Sequence, residues 1–184
     1  MNCLSYETDV EAIYLRGDFC VEAVGGYTNG AKNTLITDGP FRLTLPRKFV
    51  SLNTLAQDGF PFFSGPIKVK TILRANGNEK YLRLKGRYHT AKVSVNGSKP
   101  QMLMFDDTLN VNGLLKKGDN EIAIELTNSC RNLYGPFHNP KDPESYAVGP
   151  DSFSLYGSWN DGKSDRYQTA YAFTRFGIEY FELI

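Results

Sequence analysis

Short stretches in which apolar and polar residues alternate recur along the chain. In the segment 121–127, Ile122, Ile124 and Leu126 occupy every second position, and mostly polar residues lie between them. A period of two is typical of a β-strand that buries one face. Comparable patterns predict about nine or ten short strands, in residues 12–21, 34–45, 67–74, 81–86, 91–95, 101–105, 121–127, 167–173 and 178–183.

Asn-Gly and Asp-Gly pairs separate many of these strands. Such pairs tolerate positive φ and favour hairpin turns. They begin at Asn29, Asp38, Asp58, Asn76, Asn96, Asn112 and Asp161. The one helical candidate is the short segment 50–56. We therefore predict an all-β fold, built as an antiparallel β-sandwich or jelly roll.

The size and charge of the chain limit its class. A chain of 184 residues predicts one domain, residues 1–184, that needs no disulfide or metal to fold. Its 21 Lys and Arg residues nearly balance its 20 Asp and Glu residues. This balance argues against nucleic acid or a membrane surface as a partner, because both attract basic proteins. No apolar run approaches the roughly 20 residues of a membrane span.

The N-terminal residues lack the charged and apolar regions of a signal peptide. A strand pattern begins almost at once, so we expect a single domain excised from a larger polypeptide. The compartment stays open, with a periplasmic or secreted parent as one option.

Three cysteines, Cys3, Cys20 and Cys130, are an odd number, and no C-x-x-C is present. This pattern indicates neither a disulfide framework nor a zinc site. A Cys20–Cys130 bridge is one alternative, and buried free thiols are the interpretation we favour. The redox state of the three thiols stays open.

Four motifs follow one another over about two-thirds of the chain. Residues 58–71 read D-G-F-P-F-F-S-G-P-I-K-V-K-T, and residues 114–129 read L-L-K-K-G-D-N-E-I-A-I-E-L-T-N-S. Residues 131–138 read R-N-L-Y-G-P-F-H, and residues 172–179 read A-F-T-R-F-G-I-E. Together they resemble the galactose-binding-like (sugar-binding) jelly-roll domains of bacterial glycosidases related to glycoside hydrolase family 2. The third motif departs from the family, because Tyr134 replaces a Leu and Phe137 replaces a His.

The resemblance implies a non-catalytic accessory domain of a bacterial glycoside hydrolase. Such a domain supports the catalytic domain of the same polypeptide and can bind an oligo- or polysaccharide. The parent would be the enzyme, and the domain itself would require no cofactor. An autonomous carbohydrate-binding module is the alternative.

The segment that follows the 121–127 strand combines the residue types that bind sugars. Aromatic rings stack on the apolar faces of sugars, and polar side chains bond the hydroxyl groups. The candidate contacts are Arg131, Asn132, Tyr134, His138, Tyr146 and Trp159. These residues are candidates for contact with carbohydrate or with a neighbouring domain, and the simpler alternative is that the aromatic rings cover one end of the sandwich.

Catalytic and metal chemistry have weaker signals. Glycosidases need two carboxylates beside the scissile bond. Glu121 and Glu125 share one strand face, which a solvated sheet also produces, so we assign no catalytic residue. Domains of the family that the motifs resemble often hold calcium in their loops. Asp106, Asp107 and Asn110 are the candidate oxygen ligands here.

Overall fold

A computed structural model describes residues 13, 15–134, 138 and 169–184 of the protein. Within these residues the secondary structure is almost entirely β-strand. The strands are β1 (Cys20–Ala23), β2 (Thr28–Asn29), β3 (Thr34–Thr37), β4 (Phe41–Thr44), β5 (Gly65–Ala75), β6 (Tyr81–Arg87), β7 (Thr90–Val95), β8 (Gln101–Leu103), β9 (Thr108–Asn110), β10 (Gly118–Asn128), β11 (Tyr171–Thr174) and β12 (Gly177–Leu183). The one described α-helix is α1 (Arg131–Tyr134).

The strands form antiparallel sheets. One sheet has the order β5-β10-β7-β8, two three-stranded sheets have the orders β12-β6-β9 and β11-β3-β2, and β1 pairs with β4. The longest ladder joins β10 to β5 over eleven residue pairs, from Gly118↔Ala75 to Asn128↔Gly65. The prediction of an all-β antiparallel sandwich is confirmed.

The alternation in β10 determines which face enters the core. Ile122, Ile124 and Leu126 are at most 2% exposed. They belong to one hydrophobic cluster with Leu82 and Leu84 of β6. Burying each such side chain contributes about 1.5–3 kcal/mol. Side chains from the four-stranded and three-stranded sheets therefore share a single core.

Two of the Asn-Gly turns differ in what they connect. Asn96 and Gly97 have φ of 49° and 77° and join β7 to β8, which pair as a hairpin. Asn76-Gly77 instead lies between β5 and β6, which belong to different sheets. The hairpin prediction is therefore confirmed at Asn96 and wrong at Asn76, because the partners of β5 and β6 are strands distant in the sequence.

The predicted helix at residues 50–56 is wrong. This segment forms turns in which the backbone oxygen of Thr54 accepts the N–H groups of Gln57 and Asp58. The Asp58 carboxylate also accepts the Ser51 N–H, at 2.6 Å. The side chain of Asp58 therefore closes a compact turn, and Leu55 is fully buried beneath it.

The first and sixth predicted strands, at residues 12–21 and 101–105, correspond to β1 and β8, which are only four and three residues long. β1 begins at Cys20, which pairs with Thr44 at the end of β4, and residue 46 is a proline that cannot extend the ladder. β8 ends at Leu103, opposite Ala91 near the start of β7. Residues 104–107, between β8 and β9, therefore form a loop.

The cysteine predictions have a mixed outcome. Cys20 and Cys130 are both free thiols, so the alternative of a bridge between them is wrong. Cys20 is buried, as expected, and Cys130 is exposed. Cys3 lies outside the described residues.

The first and last of the four sequence motifs meet in an aromatic cluster. The rings of Phe62 and Phe173 are 5.1 Å apart at their centroids, and Phe41 packs edge-on against both. Edge-to-face pairs of this kind contribute about 0.5–1.5 kcal/mol each beyond burial. Phe62 and Phe173, one from each motif, therefore pack together with Phe41 of β4 in one aromatic cluster.

Candidate functional site

An open cleft lies over the outer face of β6. The outward side chains of β6 are Tyr81, Arg83 and Lys85, since Leu82 and Leu84 point into the core. The loop between β8 and β9 is tied to this strand, because the Leu84 N–H donates to the Asp107 backbone oxygen at 2.7 Å. The loop therefore stands beside the exposed face of the sheet and forms one wall of the cleft.

We call this site the aromatic cleft. It has a volume of about 730 Å³ and is lined by Tyr81, Leu84, Lys85, Gly86, Tyr88, Met104, Phe105, Asp106, Asp107, Thr108 and Asn110. Its size lies within the range of roughly 300–1,000 Å³ that small-molecule sites occupy. The cleft thus combines aromatic rings with several polar groups in one concave surface.

The aromatic residues of the cleft are unevenly exposed. The Phe105 side chain is 93% exposed and Tyr81 is 45% exposed. Tyr88 is half-buried, and its hydroxyl donates to the Leu84 backbone oxygen at 3.1 Å. Burial, together with the charge of Asp107, raises the pKa of Tyr88. Phe105 and Tyr81 are therefore the rings free to stack on a ligand, while Tyr88 is fixed in the wall.

The charged groups of the cleft are arranged around Asp107. Its carboxylate pairs with the Lys85 ammonium and lies 3.5 Å from Nε of Arg83. It also accepts the Thr108 hydroxyl at 2.8 Å. The hydrogen bond from Lys85, followed by that from Thr108, lowers the pKa of Asp107. Asp107 is therefore an ionised, fully engaged carboxylate that fixes Lys85 in the cleft.

The three calcium candidates, Asp106, Asp107 and Asn110, all line this cleft, and a calcium site there stays a prediction. A calcium ion at Asp107 would have to displace Lys85, which already compensates the charge. Asn110 uses its Oδ1 to accept the Asn112 N–H at 3.0 Å. In the described part of the chain no three His, Cys, Asp or Glu residues are grouped to hold a metal ion. Asp106 brings carboxylate oxygens to the lining of the cleft, and Asn110 brings an amide NH₂ that can donate hydrogen bonds.

A second surface surrounds α1, where the contact residues were predicted. Tyr134 is 71% exposed at the end of the helix, and Arg131 is half-buried at its start. The His138 ring lies against Tyr171 of β11, with 4.5 Å between the centroids. Tyr146 and Trp159 lie outside the described residues. The structure thus places three of the predicted contacts, Arg131, Tyr134 and His138, near the α1–β11 junction.

Asn132 has a different role from these neighbours. It is 1% exposed, and its Oδ1 accepts both the N–H and the hydroxyl of Thr174 at 2.9 Å. Its Nδ2 donates to the Thr174 backbone oxygen, also at 2.9 Å. Because its amide makes these three bonds, Asn132 anchors α1 to β11 and thereby positions Tyr134. We therefore expect Asn132 to support the predicted contact surface without touching a ligand itself.

The acidic pair considered for catalysis lies on the solvated face of the four-stranded sheet. The Glu121 carboxylate accepts a hydrogen bond from Lys70 Nζ at 3.0 Å, and the Glu125 carboxylate accepts one from Lys92 Nζ at 2.9 Å. The bond from Lys92 lowers the pKa of Glu125. A general acid of a glycosidase needs the opposite shift. These contacts are those of cross-strand ion pairs.

Sequence reasoning missed the aromatic residues of the cleft. Phe105 falls at the end of a predicted strand, where an aromatic residue is expected to pack in the core. Tyr81 alternates with Leu82 on the same face as Arg83 and Lys85, but outward alternation alone does not indicate a binding site. One signal was available, since the two acidic residues at 106 and 107 directly follow Met104 and Phe105. Apolar residues that adjoin acidic turn residues are expected at a surface, which singles out this loop.

Comparisons with known proteins do not show a family for this chain. No protein-family model matches the chain, and no curated protein matches it. One similar solved structure is that of a rhamnosidase from Novosphingobium sp. PP1Y, with 23% identity and a TM-score of 0.38. The match covers 70% of this chain and 12% of the rhamnosidase chain. The chain therefore spans about an eighth of the length of that protein.

Among the described residues, no helix has the length and apolar character needed to cross a membrane.

Proposed function

We propose that the protein is a non-catalytic accessory domain of a bacterial glycoside hydrolase, and that its aromatic cleft binds carbohydrate. The observation that carries the proposal is the exposure of Phe105 and Tyr81 beside the polar groups of Asp106 and Asn110. The four sequence motifs support placing the sandwich among the galactose-binding-like jelly rolls of these enzymes.

The chemistry of the cleft suits a neutral sugar ring. The C–H groups on one face of a pyranose pack on an aromatic ring, and the equatorial hydroxyls bond to side-chain groups at the rim. Asp106 accepts hydrogen bonds, Asn110 donates them, and Lys85 is held in place by Asp107. Because these groups lie on a sheet and a loop tied to it, little ordering is required when the sugar binds.

An accessory role also requires a surface that contacts the catalytic domain. The chain through and after β4 exposes three large apolar side chains, with Leu43 at 54%, Leu45 at 87% and Phe49 at 91%. Large exposed apolar patches often mark protein contacts. We propose this strip and the α1–β11 junction as the docking surfaces.

The second candidate is an autonomous carbohydrate-binding module, and the openness of the aromatic cleft favours it. The two functions differ in the need for a neighbour. An autonomous module binds glycan equally well alone and within the parent, whereas a domain whose main role is support changes the stability or activity of the parent when it is deleted.

Replacing Phe105 with Ala should weaken binding to the best neutral oligosaccharide from a glycan array about tenfold, because one stacking ring contributes about 1–1.5 kcal/mol. Isothermal titration calorimetry on the purified domain measures this. Phe49→Ala is the matched control, since Phe49 is equally exposed but lies outside the cleft. Equal loss in both variants, or no loss in either, would contradict the proposal.

Tyr134→Ala in the same experiment tests the predicted α1 contacts separately. A loss comparable to that of Phe105→Ala would move the carbohydrate site to the α1–β11 junction. Unchanged binding would indicate that the junction does not contact carbohydrate, and domain docking would remain its proposed role.

A further inference from the structure

The outer face of the β12-β6-β9 sheet continues from the aromatic cleft onto β12. The register places Tyr180 opposite Lys85 and Glu182 opposite Arg83. Residues directly opposite each other on antiparallel strands point to the same face of a sheet. Tyr180 and Glu182 therefore stand on the same face as the outward side chains of β6. We call the outward side chains of β6 and β12, namely Tyr81, Arg83, Lys85, Tyr180 and Glu182, the sheet platform.

Tyr180 presents a second exposed ring on this platform. It is 50% exposed, close to the 45% of Tyr81. The next residue, Phe181, is half-buried and packs against the core cluster. Alternation along β12 thus directs one ring into the protein and leaves the other ring on the surface.

The platform separates its two tyrosines by more than the width of one sugar ring. Tyr81 lies four residues before Lys85 on β6, and Tyr180 lies beside Lys85 on the next strand. With about 3.3 Å per residue along a strand and about 4.8 Å between strands, the two tyrosine Cα atoms are roughly 14 Å apart. One pyranose ring cannot contact both tyrosine rings, whereas a linear chain of several linked pyranoses can.

The charged groups between the two tyrosines are already paired. Arg83 Nη1 donates to the Glu182 carboxylate at 2.9 Å, and Arg83 Nε lies 3.5 Å from the Asp107 carboxylate. Lys85 pairs with the same Asp107. Two cations therefore face two carboxylates, and Asp106 in the cleft adds a further negative charge. Because these groups include no surplus cation, this face suits a neutral ligand with hydroxyl groups and disfavours an acidic one.

We infer that the protein binds a linear neutral oligosaccharide of several units along β6, with one end in the aromatic cleft and with Tyr180 as a second stacking contact. This inference rests on the proposed carbohydrate-binding function and specifies its ligand as a chain. A disaccharide occupies the cleft alone, and a longer chain reaches across β6 to Tyr180.

A chain-length series tests the inference by isothermal titration calorimetry on the purified protein. The probes are linear neutral glucans, mannans, xylans and galactans, each as the disaccharide and the hexasaccharide. For the series that binds best, we expect the hexasaccharide to bind about tenfold more tightly than the disaccharide, because it gains the second ring. Equal affinity for the two lengths would overturn the inference, and so would tighter binding of a galacturonate hexasaccharide than of the neutral hexasaccharide.

Substitution of Tyr180 separates the platform from the aromatic cleft. Tyr180→Ala should weaken hexasaccharide binding about tenfold and leave disaccharide binding unchanged, which also shows that the variant is folded. Tyr180→Phe keeps the ring and should bind both lengths as the wild type does. Ile72→Ala, at an exposed position of β5 in the four-stranded sheet, is the matched control and should change neither affinity.

The results for the two lengths distinguish this inference from the proposed function. If Phe105→Ala weakens binding of both lengths while Tyr180→Ala weakens neither, the cleft remains the carbohydrate site and the extension to Tyr180 is wrong. Equal loss for the two lengths in Tyr180→Ala would overturn the chain assignment as well. If no glycan of either length binds, both the inference and the proposed function are wrong.

Discussion

Replacing Asn120 with Ala should lower the free energy of unfolding by roughly 3–5 kcal/mol, a large part of the 5–15 kcal/mol typical of a domain. Asn120 is fully buried, and its amide is saturated with hydrogen bonds. Oδ1 accepts from Asn96 Nδ2 at 2.8 Å and from the Lys116 N–H at 2.9 Å. Nδ2 donates to the backbone oxygens of Lys116 and Gly118 at 2.9 and 2.8 Å. Truncation removes these four hydrogen bonds at once, and Asn96 Nδ2 keeps its bond to the Leu114 backbone oxygen.

Urea denaturation measures the change in stability, and two further variants sharpen it. Asn120→Asp keeps the shape but replaces the NH₂ donor by an oxygen that faces two carbonyl oxygens, so it should also be destabilising. Asn112→Ala, at an exposed position of the preceding turn, should change the free energy by less than about 0.5 kcal/mol. A loss at Asn120 no larger than that at Asn112 would contradict the structural role assigned to the amide.

Gly177→Ala should destabilise the domain by a similar amount, roughly 3–5 kcal/mol, for a different reason. The φ of Gly177 is 134°, and its missing side chain leaves room for the Leu52 backbone oxygen. A methyl group would overlap that oxygen, and because both atoms belong to backbone, the two segments would have to move apart.

Gly97→Ala is the matched control for this effect. Gly97 also has a positive φ, 77°, but a Cβ there would meet no atom within 4 Å. It should therefore show only the cost of the left-handed conformation, about 1–2 kcal/mol. Equal destabilisation of the two variants in thermal or urea unfolding would show that the close approach at Gly177 contributes nothing.

The parts of the fold that local sequence determines were predictable. In β10, alternation alone identifies Ile122, Ile124 and Leu126 as core residues, and the structure agrees. The connection at Asn76-Gly77 was not predictable, because a local turn signal does not show which strands pair. β5 takes β10 as its partner, and β10 lies far along the chain.

The sequence indicated some of the residues that line the candidate site, but it did not show which other residues the fold brings next to them. The calcium hypothesis identified Asp106, Asp107 and Asn110, which do line one cleft. It could not show that β6 brings Lys85 to Asp107, since that contact depends on the pairing of β6 with β9. The aromatic wall of the cleft arises from the same pairing.

Asn132 shows the same limit at α1. From the sequence, an asparagine in a polar loop is expected to face solvent, where it could bond a sugar. Its partner, Thr174, lies on a strand 42 residues further along the chain. Only the packing of α1 on β11 shows that the amide is buried and that Tyr134 is left as the exposed residue.

We propose that the aromatic cleft is the carbohydrate-contact surface of this domain. A ¹⁵N NMR titration of the purified domain with the best neutral oligosaccharide from the glycan array tests it most directly. We predict that the largest chemical-shift changes fall on the backbone amides of Tyr81, Lys85, Phe105, Asp106 and Asn110. Saturable changes confined to α1 and β11, or none in the β6 strand and the β8–β9 loop, would contradict it.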